Sequence, residues 1–156
     1  MRIYNMYARK STTGFAAFLG THPLRATSKT QSVIATSTAE AGFYAIVSAV
    51  SVSIGLKSML ADIGVPVSLR LGCDATAGIA MSSRRGLGRA KHIDIGYLWV
   101  QRALADGLVT VKKVDTEINT SALMTKNVSG ARVSKLMGLL GFKYLNGLSP
   151  LALRCG

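Results

Sequence analysis

The stretch Val67-Ser68-Leu69-Arg70-Leu71-Gly72-Cys73-Asp74-Ala75-Thr76-Ala77-Gly78-Ile79-Ala80-Met81 decides how the rest of the chain is read. Val67, Leu69 and Leu71 alternate with Ser68, Arg70 and Gly72, the two-residue period of a half-buried strand. The strand ends in Cys73-Asp74, after which Ala75, Ala77, Ile79, Ala80 and Met81 favour a helix. A carboxylate at that junction either caps the helix or, where more acids converge on it, faces a metal ion or a phosphate.

Upstream, Ser37-Thr38-Ala39-Glu40 has the spacing of a capping box, with Ser37 as cap and Glu40 reaching back to an exposed backbone amide. The helix it opens runs to about Asp62, because Phe43, Ile46, Val47, Val50 and Ile54, then Leu56, Met59, Leu60 and Ile63, recur at three- and four-residue steps. Gly64 and Pro66 stop it. Before it, Gly14–Leu19 and Leu24–Thr36 read as antiparallel strands joined by a turn at His22-Pro23, and Met1–Tyr7 as a brief strand. Downstream, Ser82–Lys91 reads as a basic loop and Ala90–Ala105 as a helix with Ile93, Tyr97, Val100 and Leu104 on one face. Leu108–Val114 reads as a strand, Ser121–Lys126 as a helical piece, and the segment around Val133, Leu136, Met137 and Leu140 as a last amphipathic helix. Residues 1–145 thus make one domain, and Asn146–Gly156 a loose tail.

Composition narrows the function. Nineteen Lys and Arg against seven Asp and Glu leave a net charge of +12. That excess suits a polyanion, nucleic acid ahead of an anionic membrane surface, although a merely solubilising surface has the same composition. Cys73 and Cys155 make neither a disulfide framework nor a zinc pattern, which suits an intracellular setting, cytoplasmic or nuclear. Met1–Lys10 has no apolar core of a secretory signal. Ala41–Leu56 is uncharged for sixteen residues. Its three serines and the following Lys57 nevertheless argue against a membrane span, which takes about 20 apolar residues. No nucleophilic triad, P-loop or dinucleotide fingerprint is present.

Strands, helix, strand, helices, strand, helix is the order of an α/β domain with helices on a mixed sheet. Six short motifs sit along that order: Arg9–Phe15 (RKSTTGF), Lys29–Val33 (KTQSV), Ser37–Ala41 (STAEA), Gly72–Asp74 (GCD), Lys91–Ile95 (KHIDI) and Thr125-Lys126. Together they resemble the ribonuclease H-like region of copia-type retrotransposon Pol polyproteins, over roughly residues 9 to 140. The resemblance implies an α/β fold with a ribonuclease H-like mixed five-stranded sheet and helices on both faces. It also implies a first strand that is shortened or missing here. The implied activity is cleavage of the RNA strand of an RNA–DNA hybrid, using two magnesium ions about 4 Å apart held by four carboxylates. The implied partners are such a hybrid or other nucleic acid, and the rest of a polyprotein, including reverse transcriptase.

Carried over position by position, the resemblance leaves one acid. Asp74 keeps the acid that ends the fourth strand. Gly42 stands where the family has its helix glutamate, and Ala122 where it has the acid near the carboxyl end. Asn5 falls at the first-strand position if Met1–Tyr7 is a remnant of that strand. Glu40 does not replace the acid lost at Gly42, since two residues turn a helix by about 200°. One carboxylate holds a pair of magnesium ions weakly or not at all. The expectation is therefore a degenerate domain that no longer cuts but still holds nucleic acid. Two alternatives stand beside it: an active nuclease recruiting Asp115 or Glu117, and a purely structural remnant.

For nucleic acid, Arg84, Arg85, Arg89 and Lys91 form a basic loop able to wrap a phosphate backbone, or simply a solvated one. His92 either touches a phosphate or serves the helix start together with Asp94. Tyr97 and Trp99 either stack on bases or belong to the core and its rim.

Overall fold

A computed structural model describes residues 10–86, 93 and 95–142. The class expected from the sequence holds: helices and strands alternate along the chain. The strands are β1 (Thr12–Leu19), β2 (His22–Thr30), β3 (Leu69–Cys73) and β4 (Val109–Lys113). The helices are α1 (Thr38–Asp62), α2 (Thr76–Ser83), α3 (Trp99–Ala105), α4 (Ala122–Thr125) and α5 (Gly130–Leu139), with a 3₁₀ turn at Ile95–Tyr97.

Four strands of the expected mixed sheet lie among the described residues, in one antiparallel and one parallel ladder. Among the described residues, β1 pairs only with β2 and β3 only with β4, so two two-stranded ladders stand side by side. The expected first strand and Asn5 lie outside the described residues, as does the tail at 146–156.

The β1–β2 ladder is antiparallel, pairing Thr12 with Thr30 through Leu19 with His22. Its loop is Gly20-Thr21, not His22-Pro23 as the sequence suggests. Gly20 has φ +60° and among the described residues no non-glycine residue has positive φ, the pattern of a two-residue turn with glycine first. Pro23 instead sits opposite Phe18, where the register slips. It is tolerated there because β2 is an edge strand. The β2 strand also stops at Thr30, short of the expected Thr36, and Gln31 takes over. Its amide nitrogen Nε2 donates to Thr13 Oγ1 at 3.0 Å and to the Ala41 carbonyl at 2.9 Å, fastening β1 to α1.

Helices lie against both faces of β1, and its alternation shows how. Thr13 and Phe15 are buried on the α1 side. Gly14 faces α4, where an added Cβ would come within 2.6 Å of Thr125 Cγ2 and 2.8 Å of Met124 Cβ. Only glycine lets α4 lie this close.

The β3–β4 ladder is parallel, from Leu69 opposite Val109 to Cys73 opposite Lys113. A parallel pair needs a long crossover, supplied by α2, the 3₁₀ turn and α3. Leu69, Leu71 and Cys73 face the core, and Arg70 and Gly72 alternate outward, as the sequence period demands.

The long helix starts where the capping box places it. Ser37 is extended (φ −150°) and its Oγ accepts from the Glu40 amide at 3.2 Å. At the other end, the Gly64 and Val65 amides bond the Ala61 and Leu60 carbonyls, and Gly64 has φ +79°. This is the Schellman closure that glycine makes cheap. Phe43, Tyr44, Ile46, Val47 and Val50 carry α1 into the core, where Met81, Ile93, Val100 and Val109 meet them.

Two other boundaries move. The α2 helix runs on to Ser83, because Ser82 Oγ and Ser83 Oγ donate back to the Gly78 and Ile79 carbonyls and leave the helix unbroken. The helix expected over Ala90–Ala105 is described only from Ile95, and splits into the 3₁₀ turn and α3.

Candidate functional site

The described residues place Gly42, Asp74 and Ala122 around one cavity of about 970 Å³ between the two ladders, with α1 as its floor. The three positions thus border one cavity. Only one of them is an acid. Ala122 is buried at 3% exposure, and Gly42 offers no side chain at all. Asp74 is half-buried at the end of β3. It does not cap the following helix: α2 begins after Ala75, with no side-chain cap bond. A strand ending at Cys73 leaves one residue too many between Asp74 and the helix for the usual capping geometry.

The position of Gly42 is occupied by packing. An added Cβ there would lie 3.0 Å from Ala75 Cβ and 3.4 Å from Gly78 Cα. A Cβ on Gly78 would reach the Gly42 backbone at 2.8 Å. This glycine pair brings α1 and α2 into backbone contact at the very point where an acid would have to stand.

Glu40 is turned away from the cavity, as helical rotation requires. It is buried at 2% exposure. Its Oε2 accepts from the Thr36 amide at 2.7 Å and from Thr36 Oγ1 at 2.6 Å, and its Oε1 from the Tyr44 hydroxyl at 2.7 Å. The reach-back goes to Thr36, one residue beyond the capping residue. Asp115 and Glu117 are also engaged elsewhere. Asp115 Oδ1 accepts from the Glu117 amide at 2.9 Å, and Glu117 pairs with Arg132 at 3.4 Å. Neither borders the cavity. No group of three or more His, Cys, Asp or Glu able to hold a metal ion occurs among the described residues.

Of the basic loop, Arg84 and Arg85 are exposed just past α2. Arg89, Lys91 and His92, with Asp94, lie outside the described residues. The base of the loop is fixed by a residue that periodicity gave no reason to single out. Gln101 Oε1 accepts from the Gly86 amide at 2.9 Å, and its Nε2 donates to the Met81 and Gly86 carbonyls at 3.0 and 3.2 Å. A glutamine on an otherwise apolar helix face was the available signal. Tyr97 packs edge-on against Tyr44, with ring centres 5.1 Å apart, and so belongs to the core. Trp99 is at the rim, 39% exposed.

Burial pushes the Cys73 thiol above its ordinary value; a hydrogen bond from the Ala75 backbone partly offsets this, and the Asp74 charge adds to it. A raised pKa keeps the thiol protonated and a poor nucleophile. Alkylation by iodoacetamide at pH 8 should accordingly be slower at Cys73 than at a free thiol, read by peptide mass spectrometry. A rate equal to that of free cysteine would contradict this environment. The same shift makes folding less favourable only as pH rises past the thiol's unfolded value, because below it both states are protonated.

No protein-family model matches the chain. No solved structure matches it either. Curated relatives do. The chain is similar to the retrovirus-related Pol polyprotein from transposon TNT 1-94 of Nicotiana tabacum, 30% identical over 135 residues, which cover 85% of this chain and 10% of that protein. It is similar to the Pol polyproteins from transposons RE1 and RE2 of Arabidopsis thaliana, at 25% and 26% identity over 84% and 76% of this chain. The chain spans about a tenth or less of the length of these relatives.

Proposed function

We propose that this chain, a segment derived from a copia-type retrotransposon Pol polyprotein, is a degenerate ribonuclease H-like domain that binds nucleic acid without cutting it. The observation that carries this reading is the convergence of Gly42, Asp74 and Ala122 on one cavity that keeps a single carboxylate. Magnesium is held by several hard oxygens, and a metal pair needs carboxylates to offset its charge. Asp74 and the neutral side chains of Asn119, Thr120 and Ser121, which line the same cavity, are not a donor set for such a pair. Among the described residues, cleavage through a metal pair therefore lacks its donor set.

Binding rests on different residues. The net charge of +12 and the exposed Arg84 and Arg85 supply phosphate contacts that do not depend on a metal. A labelled RNA–DNA hybrid incubated with the chain in magnesium or manganese should stay intact. The same hybrid should be retained at low salt. With about four phosphates neutralised, affinity should fall about 100-fold between 50 and 200 mM salt. Metal-dependent cleavage abolished by Asp74→Asn would replace this reading with an active nuclease using other ligands. Retention no better than that of an inert protein at low salt would leave a structural remnant.

A further inference from the structure

A second groove, of about 380 Å³, borders none of the acid positions. Tyr44, Val47, Ser48 and Ser51 of α1 line it at three- and four-residue steps, so one face of that helix forms its base. The end of β2 lines it with Lys29, and the 3₁₀ turn and the start of α3 line it with Tyr97 and Trp99. Its size falls within the range of about 300–1,000 Å³ typical of small-ligand clefts.

The base is apolar and firmly held. Tyr44 and Val47 are 8% and 7% exposed, and Tyr97 packs edge-on against Tyr44. The rim is different. Trp99 keeps 39% of its surface exposed, so a large aromatic side chain stands at the groove without being spent on the core. Lys29 and Ser51 are exposed as well. No Asp or Glu is found among the described residues that border the groove. Among the described residues Lys29 also has no acidic partner. An aromatic surface and an uncompensated cation thus share one opening.

The β-ladder extends the positive charge beyond the groove. Directly opposed residues of an antiparallel pair share a face of the sheet. Arg25, Thr27 and Lys29 stand opposite Ala17, Phe15 and Thr13, and Phe15 and Thr13 are buried on the α1 side. All three β2 residues therefore lie on that same side. Four residues of strand place Arg25 and Lys29 about 13 Å apart. A row of cations that tracks a phosphate backbone, leading to an aromatic side chain on which a base stacks, is what a single-strand site requires. A duplex cannot use it in the same way, because its bases stay stacked inside the helix.

We propose that this groove takes an unpaired base of a single-stranded nucleic acid, stacked on Trp99, with its phosphate on Lys29 and the adjoining backbone running toward Arg25. The inference rests on the nucleic-acid reading above and narrows it to a single-stranded segment and a site.

Trp99 is the chain's single tryptophan, so its emission reports on the groove alone. The test titrates the full chain at low salt with an oligothymidylate of about twelve nucleotides, a length that spans one such site, and separately with an RNA–DNA hybrid of similar length. Binding is read by the anisotropy of labelled strands and stacking by Trp99 emission with unlabelled ones. The oligothymidylate should quench Trp99, whereas the hybrid should bind and leave its emission unchanged. Trp99→Ala should weaken single-strand binding about tenfold, and Trp99→Phe, which keeps a ring, should recover most of that loss. Lys29→Ala, at an exposed position, should leave the circular dichroism unchanged and lower the salt slope of single-strand binding by about 1. Single-strand binding without quenching overturns the proposal. So does binding indifferent to Trp99→Ala in a variant with parental circular dichroism, or a salt slope unmoved by Lys29→Ala. In those cases the nucleic-acid reading stands if the hybrid is still retained; if neither nucleic acid is retained, both fail. Quenching that follows protein concentration alone, with sedimentation as a dimer, would assign the groove to a second copy and overturn the proposal too.

Discussion

Replacing Glu40 with alanine is expected to lower the unfolding free energy by about 3 kcal/mol, a large part of the 5–15 kcal/mol typical of a domain. The carboxylate is buried and accepts from the Thr36 amide, Thr36 Oγ1 and the Tyr44 hydroxyl. Bonds to a charged acceptor are each stronger than neutral ones, and truncation strands their donors in a space too small to rehydrate them fully. Ser37→Ala, which removes only the accepting oxygen at the helix cap, should cost about 1 kcal/mol. Glu40→Gln keeps an acceptor on the same stem and should fall between the two. Urea denaturation orders the three variants. If Glu40→Ala lies within 0.5 kcal/mol of the parent, roughly the range of an ordinary surface substitution, the buried network is not what anchors α1.

The second large effect concerns the cavity's non-acidic positions. The pair Gly42→Glu and Ala122→Asp places carboxylates at two positions that line the cavity with Asp74. It should nevertheless destabilise the chain, by about 3 kcal/mol or more, and yield no cleavage of an RNA–DNA hybrid in magnesium. Gly42 has no room to grow without displacing Ala75, whose Cβ lies 3.0 Å from where the new one would stand. Ala122 is buried at 3% exposure, so an aspartate there brings an unpaired charge into a site now filled by a methyl group. Like charges beside Asp74 would add repulsion that only a bound divalent ion relieves. Thermal melts with and without magnesium separate the cases. A variant restored to parental stability by magnesium, with cleavage, would show that the scaffold still accepts a metal pair and that the loss of acids alone disables it.

Most of the architecture was legible because it depends on neighbours in the chain. The capping box at Ser37–Glu40 placed the start of α1, and the glycine stop at Gly64 its end near Asp62. The alternation of Leu69, Leu71 and Cys73 gave β3 its faces, and the three- and four-residue steps gave α1 its core stripe. The errors arose where a local signal had two uses. His22-Pro23 looks like a turn, but an edge strand tolerates proline at a slipped register while Gly20 makes the turn. Ser82 and Ser83 look like loop, but their hydroxyls bond back into the helix.

The sequence by itself determined which residue types stand at which motif positions: an acid at Asp74, none at Gly42 or Ala122. Those facts are covalent and no fold can change them. Only the tertiary structure decided that the three positions meet at one cavity, that Gly42 and Gly78 have closed α1 onto α2, and that Asp115 and Glu117 face elsewhere. It alone decided that, among the described residues, β1 pairs with β2 and β3 with β4. Distances between segments far apart in sequence follow from how side chains fill space together, and pattern along one chain carries little of that information.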